Sequence, residues 1–115
     1  MEMKLEIHTQ DGFLAYELMG ENQLKNGNSK EISDGVSLRY DGRYFRKALD
    51  FPTILFFTLN VVADIATIIM AVDWLIEKLR SKKVEKIVID EIEVGLDRDE
   101  IVSVIRRRIE RSMEK

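Results

Sequence analysis

The sequence predicts an α+β fold in which antiparallel β-hairpins pack on one long central apolar helix, with a shorter C-terminal helix closing the chain. Three observations carry that expectation. The dipeptides Asp11-Gly12 and Asp41-Gly42 interrupt stretches of alternating apolar and polar residues, a hairpin signal because glycine accepts positive φ. Between Phe51 and Val72 the only charged residue is Asp64, which reads as a buried helix. Asp97 and Glu100 stand at capping-box spacing just ahead of apolar residues at helical intervals.

The totals set the frame. A length of 115 residues fits one domain over residues 1–115, large enough to bury a core without disulfides or metals. With 45% hydrophobic and 34% charged residues the composition is globular rather than disordered. A net charge of −3 places no demand for nucleic acid or an anionic membrane on the chain as a whole. The chain contains no cysteine, which rules out disulfides and thiolate metal sites and suits a reducing cytoplasm. Its first residues alternate charged with apolar side chains and show no run resembling a signal-peptide core. Abundant Glu, Lys, Arg and Ile hint at a thermophilic source.

In chain order, a first hairpin over 3–19 has Met3, Leu5 and Ile7 on one face and Lys4, Glu6 and His8 on the other. Closure at Asp11-Gly12 would pair Ile7 with Tyr16 and Leu5 with Leu18; a helix over 13–19 is the alternative. Residues 20–35 read as a polar loop. A second hairpin over 36–48, turning at Asp41-Gly42, sets Val36, Leu38, Tyr40 and Phe45 against Arg39, Tyr44 and Arg46 on the opposite face. Asp50 and Pro52 then signal the start of the long helix, 51–80. A third hairpin over 86–96 brings its apolar residues to one face if Asp90-Glu91 forms the turn, pairing Ile89 with Ile92 and Ile87 with Val94. Asp-Glu is poor turn chemistry, so a bulged single strand is the alternative. A helix over 97–112 follows, with Leu96 stapled to Ile101 and a buried stripe of Ile101, Val104, Ile105 and Ile109.

The long helix dominates the functional expectation. One seam of spacing three and four runs through Ile54, Phe57, Val61, Ile65, Ile68 and Val72, next to Trp74, and continues into Leu75 and Leu79. A second seam takes Leu55, Leu59, Val62, Ala66, Ile69 and Ile76, leaving a narrow stripe of Asn60, Asp64, Thr67 and Ala71. At ~43 Å such a helix exceeds what a domain of this size needs. The excess would pack against a second copy, making Ile54, Phe57, Val61, Ile65, Ile68, Val72 and Trp74 a self-association surface. The competing reading is a membrane-anchored protein spanning the bilayer with 51–72, flanked by Trp74, Lys78, Arg80, Lys82 and Lys83. Against it, a central Asp costs ~3 kcal/mol on insertion scales.

No catalytic set emerges. Asp64 has Asn60 and Thr67 one turn away but no His, Cys or Lys in register. His8 is the only histidine, beside Glu6, so neither a zinc site nor a His-based triad can form within one chain. The carboxylates at Asp97, Asp99 and Glu100 complement a helix N-terminus, and Arg106, Arg107, Arg108 and Arg111 complement its end. No metal, cofactor or small-molecule substrate is expected. Arg39, Tyr44 and Arg46 would together mix charge with a stacking ring, a nucleic-acid-binding alternative.

The segment from Ala71 to Ile101 contains Trp74-Leu75, Arg80 and Lys82-Lys83, then the 87–96 hairpin and the 97–112 helix. In that order it resembles the effector-associated constant component domains of prokaryotic conflict systems. The resemblance covers about half the chain and implies a non-enzymatic adaptor that recruits partner proteins. The leading expectation is therefore a non-enzymatic, cytoplasmic interaction module whose partner is itself or another protein.

Overall fold

A computed structural model describes residues 1–21, 23–45, 52–80 and 82–113. Among them the chain forms strands β1 (Glu2–Thr9), β2 (Ser29–Ser33), β3 (Val36–Tyr44), β4 (Thr53–Val61), β5 (Val84–Ile89) and β6 (Ile92–Val94). Helices α1 (Leu14–Met19), α2 (Ile65–Leu79) and α3 (Arg98–Met113) complete it. The strands make one sheet in the order β2-β3-β4-β1-β5-β6, with every neighbouring pair antiparallel.

All three helices lie on the same face. Met3, Leu5 and Ile7 of β1 and Leu55, Phe57 and Leu59 of β4 share one core with Leu14 and Leu18 of α1, Ile68 and Leu75 of α2, and Ile101 and Ile105 of α3. The alternate residues of the same strands point to the other side, which no described helix covers.

The α+β class holds, but the single long central helix does not exist. Residues Thr53–Val61 are strand, and α2 has only 15 residues. The physical reason is that an unbroken apolar run satisfies any period. β4 lies between β1 and β3, burying Leu55, Phe57 and Leu59 while Ile54 and Phe56 are half-buried on the opposite face. A strand with apolar residues on both faces looks like a helix with two seams. The break falls at Asp64, whose carboxylate caps α2 by accepting from the Thr67 amide at 2.9 Å. The expected helix start at Asp50 and Phe51 lies outside the described residues.

Two hairpins are also corrected. Residues 14–19 form the helical alternative, closed by Gly20 at φ +67°, whose amide donates to the Tyr16 carbonyl. β1 therefore pairs with β4 and β5, not with 13–19. The expected 36–48 hairpin is a single strand through Tyr44: Gly42, at φ +126°, sits at a bulge after Tyr40, and β3 pairs onward with β4. Residues 46–48 of that hairpin lie outside the described residues. Within the supposed loop 20–35, β2 pairs with β3 around a turn at Gly35, φ +83°. A Cβ there would stand 2.1 Å from the Val62 carbonyl oxygen, so only glycine fits.

The last elements follow the local signals. Ile89 faces Ile92 and Ile87 faces Val94. Asp90 and Glu91 both have positive φ, the geometry of the favoured two-residue turn, despite their side chains. Tertiary bonds hold that turn: the Asp90 amide donates to the Lys4 carbonyl at 2.9 Å, and the Lys4 amide donates to Asp90 Oδ1 at 2.7 Å. Asp97 caps α3 through the Glu100 amide at 3.0 Å.

Candidate functional site

The expected self-association seam is not one surface. Phe57, Val61, Ile68 and Val72 are buried in the chain's own core. Ile54 is half-buried on the open face of the sheet, and Ile65 is exposed at the start of α2. Trp74 is half-buried, with Lys30 Nζ 5.5 Å and Lys78 Nζ 5.9 Å from its ring centre. The strand-to-helix break splits the seam between two layers.

A different apolar surface forms at the start of α2. Its core side carries Ile68, Ala71, Val72, Leu75, Ile76 and Leu79. Its solvent side carries Ile65, Ala66, Ile69 and Met70, continued backwards by Val62. Met70 is 65% exposed on this capped, well-anchored helix, and Val62, two residues ahead of the Asp64 cap, is 73% exposed. Further along, the same side turns polar with Asp73, Glu77 and Lys78, so the patch occupies only the first two turns. Asp73 is engaged by Arg98 of α3 through two bonds of 2.6 and 2.5 Å. That bidentate contact, rather than burial, lowers the Asp73 pKa and ties α2 to α3. The Ser33 hydroxyl donates to the Thr67 carbonyl at 3.4 Å and ties α2 to β2.

The open sheet face is the second candidate. Here Thr58 Oγ1 donates to Asp41 Oδ2 at 2.5 Å, Arg39 Nε donates to Asp41 Oδ1 at 2.8 Å, and Arg39 Nη2 donates to Thr58 at 3.0 Å. The proposed nucleic-acid trio fares accordingly. Arg39 is committed to Asp41, Thr58 and, at 3.9 Å, Glu2, and the Asp41 bond raises its pKa. Tyr44 shares the open face two rows away, and Arg46 lies outside the described residues. Glu2, Asp41 and Glu6 lie among these groups, so the face presents both signs of charge rather than a basic field. His8 Nε2 stands 3.5 Å from Glu6 Oε2 on this face.

Among the described residues no group of three or more His, Cys, Asp or Glu converges as a metal site, and no helix is long and apolar enough to cross a membrane. The spanning helix expected over 51–72 is thus replaced by β4 and the first turns of α2. No protein-family model matches the chain, and no curated protein or solved structure is significantly similar to it.

Proposed function

We propose that the protein is a non-enzymatic, cytoplasmic interaction module that docks an apolar surface of another protein on the first two turns of α2. The observation that carries this reading is the exposure of Ile65 and Met70 on a helix whose opposite side is anchored in the core, with exposed Val62 just ahead of its cap. Covering a Val, Ile or Met side chain fully contributes ~1.5–3 kcal/mol. Three such side chains, two on α2 and one in the connection just before it, therefore form an energetic centre for a protein interface, once association entropy is offset. The resemblance of the Ala71 to Ile101 segment to adaptor domains points the same way, and the cysteine-free composition suits a reducing compartment.

A photo-crosslinking residue installed at Met70 in the native host tests this. It should give adducts of discrete mass that Val62→Glu with Ile65→Glu abolishes, while the same probe at Glu77 gives few. Equal labelling at both positions, or none at Met70, would sink the reading.

A further inference from the structure

The chain enters β2 through a turn over Lys25, Asn26, Gly27 and Asn28. The Asn28 amide donates to the Lys25 carbonyl at 3.1 Å, and of the two central residues only Gly27, at φ +95°, has positive φ. That combination defines a type II turn with Asn26 as its second residue. The turn is stitched to β3: the Gly27 amide donates to the Tyr40 carbonyl at 2.6 Å, and the Tyr40 amide donates to the Asn28 carbonyl at 2.8 Å. The Asn26 side-chain amide lies over the β3 bulge, where a Cβ added to Gly42 would stand 3.4 Å from Asn26 Nδ2. Asn26 and Gly27 are both exposed to solvent. Asn-Gly is the sequence in which an asparagine side chain is most easily lost, because no Cβ on the next residue hinders attack by its amide nitrogen. We infer that Asn26 is a covalent modification site gated by this turn. Pairing with β3 keeps the side chain amidated, and opening of the turn converts it, one way, to a mixture of aspartate and isoaspartate.

In the open chain the Gly27 amide loses its proton to hydroxide, and the nitrogen attacks Asn26 Cγ. A bond forms between them, the side-chain nitrogen leaves as ammonia, and a cyclic imide remains. Water then adds to either imide carbonyl. Breaking the new bond to Cγ gives aspartate; breaking the original peptide bond gives isoaspartate, whose main chain runs through Cβ. Water enters, ammonia leaves, and nothing is oxidised or reduced. The folded turn opposes each requirement. Ring closure needs Asn26 Cβ and the Gly27 nitrogen eclipsed about the Cα–C bond, whereas the second residue of a type II turn, with ψ near about +120°, holds them about 120° away from that position. The Gly27 proton that must be given up is engaged by the Tyr40 carbonyl, and the Asn26 amide is held over Gly42. Isoaspartate lengthens the main chain by a methylene, so the turn cannot regain the register in which Gly27 and Asn28 both bond Tyr40. The other asparagines, Asn22, Asn28 and Asn60, precede Gln23, Ser29 and Val61, whose side chains hinder the same attack. This inference makes no use of the α2 stripe and stands apart from the docking function.

Timed incubation of the full chain at neutral pH, folded and in unfolding guanidinium chloride, tests it. Trypsin cuts after Lys25 and Lys30, so one short peptide carries both Asn26 and Asn28, and its mass and fragments report each side chain. Asn26 should be converted at least about tenfold faster in the unfolded chain than in the folded one. Asn28 should stay largely intact in the same peptide, and isoaspartate should be among the products. Heavy-oxygen water should leave its label at position 26. Gly42→Ala adds a Cβ at φ +126° beneath the Asn26 amide and should speed the folded-state reaction about threefold or more. A check that needs no variant is hydrogen exchange in the wild-type chain: protection of the Gly27 amide should match the folded-to-unfolded rate ratio to within about tenfold. Equal rates in the two states, an aspartate product with no isoaspartate, Asn28 lost as fast as Asn26, or an unprotected Gly27 amide would each overturn the gating.

Discussion

Asp41 shows how one carboxylate redirects a strand. Burial pushes its pKa up, but the hydrogen bonds from Thr58 and Arg39 outweigh that, and the net shift is downward. A carboxylate held below its unfolded value stabilises the fold above that value, and the contribution is lost as pH falls through the folded one. Asp41→Asn should therefore cost roughly 1–2 kcal/mol at neutral pH, measured by urea denaturation, and the difference from wild type should shrink well below pH ~4. In the sequence Asp41-Gly42 looks like a turn because that inference uses only adjacent residues. The partner that turns it into a bulge, Thr58, lies 17 positions away.

At the scale of elements, helix caps decide what was legible. The Asp97 to Glu100 signal places the start of α3 correctly, because a cap is a local interaction. The equivalent signal for α2, Asp64 followed by Thr67, was present too. Inside so apolar a run, Asp64 reads as an interruption of a long helix rather than as its beginning. Asp64→Ala should lower the thermal midpoint at neutral pH, and Asp64→Ser should recover most of the loss, since Ser also accepts from the Thr67 amide. Hydrogen bonding to Thr67 holds the Asp64 pKa down, so the deficit should fade as acid protonates the carboxylate in the wild type. The α2 stripe was partly legible. Ile65 belongs to the seam expected to face a partner, whereas Val62, Ala66 and Ile69 fall in the second seam and Met70 in neither. The Arg39, Asp41 and Thr58 network on the open face was not, because it depends on β3 meeting β4, a pairing that no local periodicity encodes.

Across the whole molecule, stability rests on the layer between sheet and helices, and Phe57 is its largest fully buried side chain. It stands opposite Leu5 of β1 and meets Tyr40 edge-on at 5.7 Å. Phe57→Ala should cost about 3–5 kcal/mol by denaturant titration, a large share of the ~5–15 kcal/mol that holds a typical domain together. Because Phe57 lies in the core between sheet and helices and belongs to neither the α2 stripe nor the open sheet face, this loss should appear as unfolding and not as a selective loss of partners.

The position of β1 has a further consequence during synthesis. Strand β1, made before the other five described strands, is flanked in the finished sheet by β4 and β5, so neither of its edges is paired until much later chain has emerged. Roughly 80 residues separate Thr9 from Ile89, which at ~5–20 residues per second is a wait of roughly 4–16 s. Until β4 and α2 have followed, Met3, Leu5 and Ile7 lack most of the core they finally enter. The nascent chain thus carries an apolar strand with two open edges, the kind of segment on which chaperones act. Only when β5 clears the exit tunnel can the sheet close around β1 on both sides.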